Sequence, residues 1–172
     1  MKRIICAVAA LVFLAACSVQ ENMSPQIFIE RLQKNDSRFA VDTDNSFVDG
    51  GFVYFVNYDN GLELVFEIST DEQGNSDKIS LACIQTDKAD EFIVCAEKTV
   101  EVYAPDDSAD EVIKSLFSGR ELNGEYVYYE TLWHSYSAVL SENGLYFSAL
   151  SKKLMPNSEV EFSLKQNDIV EY

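Results

Sequence analysis

The sequence predicts an α+β domain in which helices pack on one face of an antiparallel sheet. Ser24 and Ser108 each precede a stretch whose apolar residues recur every three or four positions, a pattern typical of capped amphipathic helices. Two Asn-Gly pairs, at 60–61 and 143–144, separate runs of alternating apolar residues, and Asn-Gly is the strongest short hairpin signal. Helices followed by hairpins favour an antiparallel sheet with its helices on one side.

The first half of the chain contains one predicted helix followed by strands. Ser24 and Pro25 form a cap and a first helical position, which predicts a helix that continues to Asn35. Strands are expected at residues 39–41, 52–58, 62–69 and 78–85.

The faces of the first hairpin follow from the length of its turn. If Asn60-Gly61 forms a two-residue loop, Phe55 pairs with Phe66 and faces the core. Tyr54 and Tyr58 then lie on the opposite face of the sheet.

The second half contains two predicted helices and four predicted strands. Apolar spacing predicts a helix over 88–103, although Thr99-Val100-Glu101-Val102 also fits a strand. A second helix follows Ser108 and ends before Gly119. Strands are expected at residues 126–132, 133–140, 145–152 and 160–164.

The first 17 residues have the pattern of a lipoprotein leader. Lys2 and Arg3 form a basic start, and residues 4–16 are all apolar. A helix of that length reaches about 20 Å, which is short of the ~30 Å hydrocarbon core of a membrane. The run closes on Leu14-Ala15-Ala16-Cys17, which resembles the lipobox of bacterial lipoproteins. The alternative is an ordinary secreted protein that has a cysteine at this boundary by chance.

The resemblance to lipoproteins implies a location and a domain organisation. Residues 1–16 would be the signal peptide, Cys17 the lipidated residue, and 17–23 a short spacer before one globular domain at 24–172. Acyl chains on Cys17 would anchor the protein to a membrane outside the cytoplasm. Because Ser18 rather than aspartate follows Cys17, the resemblance implies the outer membrane if the cell is Gram-negative.

The mature chain is strongly acidic. Without Lys2 and Arg3, 11 of the 13 basic residues remain against 29 acidic ones, so the net charge is −18. This charge would repel a nucleic acid, and we therefore expect no nucleic-acid partner. The acidity favours solubility of a tethered protein, with recognition of a basic ligand as the alternative.

Two cysteines remain in the globular domain, Cys83 and Cys95. An even pair in an oxidising compartment predicts a disulfide between them. The alternatives are two buried thiols or a metal-binding pair, and the second lacks further ligands nearby.

Two parts of the chain, 24–86 and 108–155, look like copies of a helix followed by three strands. A shift of 84 residues places Ser24 on Ser108, and a shift of 83 places Asn60-Gly61 on Asn143-Gly144. Any two capped helices followed by Asn-Gly hairpins would align in part, which is the alternative to a true repeat. In element order alone, such tandem units resemble secreted β-lactamase-inhibitor proteins and small outer-membrane-assembly lipoproteins. That resemblance assigns no residue a role.

No stretch of the chain has the pattern of a catalytic site. The single histidine, His134, falls on a predicted strand, and no serine lies in a Gly-x-Ser-x-Gly motif. We therefore predict no enzyme activity, no cofactor and no metal, with a carboxylate-dependent hydrolase as a distant alternative.

The candidate binding face consists of four aromatic residues on the second face of the sheet: Tyr54, Tyr58, Trp133 and Tyr146. Tyrosine and tryptophan provide flat, amphipathic contact area. We therefore expect a non-catalytic envelope lipoprotein that binds a protein or a glycan. If a helix or the C-terminal segment covers this face, the four residues belong to the core, and the protein is a structural or assembly-accessory lipoprotein.

Overall fold

The structure is a computed structural model, which describes residues 23–42, 46–48, 51–59, 61–119 and 121–152. The described helices are α1 (Pro25–Asn35), α2 (Ala89–Tyr103) and α3 (Ala109–Phe117). The described strands are β1 (Phe39–Val41), β2 (Ser46–Val48), β3 (Gly51–Tyr58), β4 (Leu62–Thr70), β5 (Ser76–Cys83), β6 (Asn123–Glu130), β7 (His134–Ser141) and β8 (Gly144–Ser151). Cys17 and the predicted strand at 160–164 lie outside the described residues.

Both predicted serine caps are confirmed. The Ser24 hydroxyl accepts a hydrogen bond from the backbone N–H of Ile27, and the Ser108 hydroxyl accepts one from Glu111, each over 3.4 Å. Each bond satisfies one of the N–H groups that a helix start leaves without an intrahelical acceptor. The two serines therefore fix where α1 and α3 begin.

All eight described strands join one antiparallel sheet, which confirms the α+β class. Seven follow the order β1-β3-β4-β5-β8-β7-β6, and β2 pairs beside β1 on the same edge of β3. Strand β2, Ser46–Val48, lies between the predicted strands at 39–41 and 52–58, where no strand was predicted. The two meanders β3-β4-β5 and β6-β7-β8 meet where their third strands pair.

The three helices contact one face of the sheet, which we call the inner face. Phe28 of α1 packs on Phe66 with ring centroids 6.0 Å apart, and Phe117 of α3 packs on Phe147 at 6.5 Å. Tyr103 of α2 lies 5.5 Å from the ring of His134. The residues that alternate with Phe66, Phe147 and His134 along their strands form the opposite, outer face.

The alignment of the two halves by 83 residues is not confirmed. It places Asn60-Gly61, at the first turn of one meander, on Asn143-Gly144, at the second turn of the other. In the sheet order, β3 instead corresponds to β6 and β5 to β8. The matching Asn-Gly pairs therefore mark two hairpins in different places of their meanders.

Candidate binding surface

Two of the four predicted face residues belong to the core. Tyr54 and Tyr58 are 3% and 2% exposed and point to the inner face with Leu62, Leu64 and Phe66. The hydroxyl of Tyr58 donates a hydrogen bond to Asp36 over 3.2 Å. The prediction that Tyr54 and Tyr58 form a binding face is therefore wrong.

The cause is a turn that is one residue longer than predicted. Tyr58 pairs with Leu62, so the loop consists of residues 59–61 instead of two residues. Asp59 adopts a positive φ of 44°, which an aspartate tolerates better than most residues. A shift of one residue moves every side chain of a strand to the other face. Phe55, predicted to be in the core, is consequently on the outer face and 49% exposed.

The other two predicted residues lie in separate places. Tyr146 is on the outer face in the middle of the sheet, between Ala82 and Val139, and its hydroxyl donates to the Ser80 hydroxyl over 3.0 Å. Trp133 is 46% exposed and precedes β7 in the turn that joins it to β6. The four aromatic residues therefore do not form one surface.

A different row of side chains crosses the outer face. The pairing registers place six residues side by side across neighbouring strands, in the order Phe55, Val65, Ala82, Tyr146, Val139, Tyr126. Every member is apolar or aromatic, and the two ends, Phe55 and Tyr126, are 49% and 61% exposed. We call these six residues the outer row.

All members of the outer row except Tyr126 line a groove of about 680 Å³. Phe55, Val65 and Tyr146 line it together with Ile84, the residue after β5, which is 80% exposed. Glu63 lines the same groove and adds an acidic group, and Asn57, Ser141 and Asn143 add neutral polar groups to the lining. A groove of this volume is in the range of binding pockets in proteins.

A row of serines lies beside the outer row. Ser80, Ser148 and Ser137 are adjacent across β5, β8 and β7, and each is less than 10% exposed. The hydroxyls of Ser137 and Ser148 are 2.8 Å apart, and that of Ser80 accepts from Tyr146. Ser137 and Ser148 thus bond to each other, and Ser80 bonds to Tyr146. Few polar groups of this serine row are therefore left to bind a ligand.

His134 belongs to a buried polar network at the opposite end of the strands. Its Nδ1 is 2.7 Å from Oδ2 of Asp107, which also accepts from the Tyr136 hydroxyl at 2.6 Å and the Thr131 hydroxyl at 2.8 Å. The His134 side chain is 4% exposed and that of Asp107 7%. The network connects the loop before α3 to the turn between β6 and β7.

Cys83 and Cys95 are free thiols, both buried in the inner core. The disulfide predicted between them is therefore absent from this structure. Burial raises the pKa of Cys83 and, more strongly, that of Cys95, so both thiols resist ionisation. The structure instead agrees with the alternative interpretation, in which Cys83 and Cys95 are two buried thiols.

Within the described ranges, no helix is long and apolar enough to cross a membrane. The same residues contain no group of three or more histidine, cysteine, aspartate or glutamate side chains placed to hold a metal ion. Comparison of the chain with protein-family models, with curated proteins and with solved structures finds no match.

Proposed function

We propose that this chain is a lipid-anchored, non-catalytic binding module of the bacterial cell envelope, which holds a polypeptide segment in the groove on the outer face of its sheet. The lipid anchor is inferred from the resemblance of Leu14-Ala15-Ala16-Cys17 to a lipobox. The observation that carries the binding role is the groove lined by Phe55, Val65 and Ile84, whose side chains are well exposed in the folded chain.

The chemistry of the groove favours a polypeptide over a glycan. Phe55, Val65 and Ile84 present hydrocarbon that suits apolar side chains, and Asn57, Ser141 and Asn143 offer polar groups to a peptide backbone, whereas a sugar exposes hydroxyls over most of its surface. The one hydroxyl of the outer row that lines the groove, on Tyr146, already bonds to Ser80. Apolar side chains of an extended segment would replace water at these residues, and burial of apolar surface is the main favourable contribution to such binding.

The negative charge of the chain favours a ligand segment that contains basic residues. The mature chain has a net charge of −18, and Glu63 lines the groove itself. A ligand with lysine or arginine between its apolar residues would be attracted over distance and would pair with the acidic rim.

The test is calorimetric titration of the soluble chain that begins at Ser18 with a synthetic peptide of alternating leucine and lysine. We expect this peptide to bind and its leucine–glutamate counterpart not to bind. The substitutions Phe55→Ser and Ile84→Ser each remove an apolar contact in the groove, and we expect each to weaken binding by about tenfold, equivalent to ~1.4 kcal/mol.

Ile27→Ser is the matched control, because Ile27 is 37% exposed on α1 and therefore on the side of the inner face. It should leave binding unchanged. Equal binding of the lysine and glutamate peptides, or equal losses in all three variants, would contradict the proposed role of the groove.

We also propose that the two halves derive from one helix-plus-meander unit, related by the correspondence of β3 with β6. The identical caps at Ser24 and Ser108 and the pairing of the third strands, β5 and β8, support this. Under this proposal the groove extends over the junction of the two units, because Ala82 of β5 and Tyr146 of β8 both line it.

A further inference from the structure

The turn between β6 and β7 displays two large apolar side chains side by side. Leu132 is 76% exposed and Trp133 is 46% exposed. A water-soluble turn is ordinarily built from small polar residues, so an exposed leucine followed by a half-exposed tryptophan is a candidate contact surface.

Hydrogen bonds on both sides hold this turn in place. The backbone N–H of Thr131 donates to the carbonyl of His134 at 2.9 Å, and the Thr131 hydroxyl donates to buried Asp107 at 2.8 Å. Lys152 lies beside the turn, and its backbone N–H donates to the carbonyl of Trp133 at 2.9 Å. The ammonium group of Lys152 donates to the carbonyl of Thr131 at 2.8 Å. Leu132 and Trp133 are therefore presented on a fixed backbone, which lowers the entropic cost of binding.

The segment that leads to Cys17 enters the fold at the same end of the sheet. The backbone N–H of Ser76 donates to the carbonyl of Met23 at 2.7 Å, which attaches the entering chain to the start of β5. Lys78, two residues after Ser76, pairs with Leu150, two residues before Lys152, and the backbone N–H of Lys152 donates to the carbonyl of Trp133. Ser76 and Trp133 therefore lie at the same end of the sheet.

The spacer keeps this end of the sheet close to the anchor. Six residue steps lead from Cys17 to Met23, and fully extended they span at most about 20 Å. A lipidated Cys17 would therefore hold Met23, at the end of the sheet that carries Leu132 and Trp133, within about 20 Å of the acyl chains.

We propose that the Leu132–Trp133 turn rests on the phospholipid surface that holds the anchor, with Leu132 among the acyl chains and the Trp133 indole at the level of the headgroups. This inference rests on the lipid anchor of the proposed function and is independent of the groove. Tryptophan favours the membrane interface because its ring is apolar and its N–H is polar. Glu72, in the turn before β5, and the net charge of −18 disfavour anionic lipids, so the surface is one of zwitterionic headgroups.

Trp133 is the single tryptophan of the chain and reports its own environment. The experiment uses the protein purified from membranes and reconstituted in phosphatidylcholine vesicles with or without brominated acyl chains. We expect the Trp133 emission to shift to the blue relative to the soluble chain that begins at Ser18, and to lose intensity when the acyl chains are brominated. Leu132→Ser should reduce both effects, whereas Ile84→Ser, an exposed apolar residue in the groove, should change neither.

The outcomes separate the two proposals. Protein that floats with the vesicles but whose Trp133 emission matches the soluble chain and is not quenched would overturn the membrane contact alone. Protein that fails to float would overturn the lipid anchor and the contact together. A blue shift that grows with protein concentration without vesicles would assign the turn to contact between copies, and would also overturn the membrane contact.

Discussion

Two aspartates, one in each half of the chain, accept a hydrogen bond from a buried tyrosine, yet their surroundings differ. Asp36 follows α1 and accepts from Tyr58 and from the guanidinium of Arg38 at 2.6 Å. Asp107 precedes α3 and accepts from Tyr136, Thr131 and His134. Both arrangements supply the acceptor that a buried tyrosine hydroxyl needs.

The two clusters differ in how well water reaches the side chains that contact the aspartate. Arg38 is 47% exposed, and its guanidinium lies over the ring of Tyr58 at 4.7 Å, so water shares the solvation of the first cluster. The second cluster is closed, because His134 and Asp107 are both less than a tenth exposed. We therefore expect the tyrosine–aspartate hydrogen bond to stabilise the fold by different amounts in the two halves.

The largest expected effect is that of Asp107→Ala. The substitution leaves three buried donors, on His134, Tyr136 and Thr131, without their acceptor. We expect the free energy of unfolding, measured by urea denaturation, to fall by about 3–5 kcal/mol. Asp110→Ala is the control, since Asp110 is exposed beside Lys114 and should change stability by less than ~0.5 kcal/mol. Equal losses of unfolding free energy in the two variants would show that the buried network stabilises the fold no more than an exposed carboxylate does.

Asp36→Ala should have a smaller effect. Arg38 can turn to water when its carboxylate is removed, so only the Tyr58 hydroxyl loses a buried acceptor. We expect a loss of about 1–2 kcal/mol in the same urea titration. Asp59→Asn is the matched control, because it removes an exposed charge 3.8 Å from Arg38 and keeps a side chain that tolerates the positive φ, and it should be nearly neutral. A loss in Asp36→Ala as large as that of Asp107→Ala would break the comparison.

The smallest expected effect is a pH dependence of the stability that the first cluster provides. The hydrogen bonds from Arg38 lower the pKa of Asp36 from 3.8 to about 2, against the opposing effect of burial. The folded chain therefore binds this proton less readily than the unfolded chain, and the stabilisation is complete above pH 3.8 and is lost as the pH falls to about 2. In urea titrations across that range, the difference between the natural chain and Asp36→Ala should shrink as the pH falls. A difference that stays constant would contradict the assignment.

Features encoded by neighbouring residues were predictable from the sequence. Ser24 and Ser108 mark the starts of α1 and α3 because a cap needs only the residues of the first turn. The core residues of β4 followed from its own alternation, and Leu62, Leu64, Phe66 and Ile68 are all buried.

Two kinds of feature could not be predicted in this way: the exact register of paired strands, and the pairing of strands that are far apart in the chain. Asn60-Gly61 indicated a turn, but Asp59 joins it, and this single residue moves Tyr54 and Tyr58 to the core. The polar pair Asn57 and Glu63, opposite each other on the outer face, was the available signal for the correct register. The outer row required knowledge that β5 lies beside β8, which no local pattern contains.

The junction of β5 with β8 also has a consequence for the order of folding. It joins Lys78 to Leu150 and Cys83 to Leu145, segments more than sixty residues apart in the chain. The hairpins β3–β4 and β7–β8 close short loops and can form in about 1–10 μs, whereas the junction must wait until both halves exist and meet. Until then β5 and β8 each present an unpaired edge, the kind of surface on which chains aggregate. During synthesis, the hazard of misassembly is therefore concentrated at the pairing of β5 with β8.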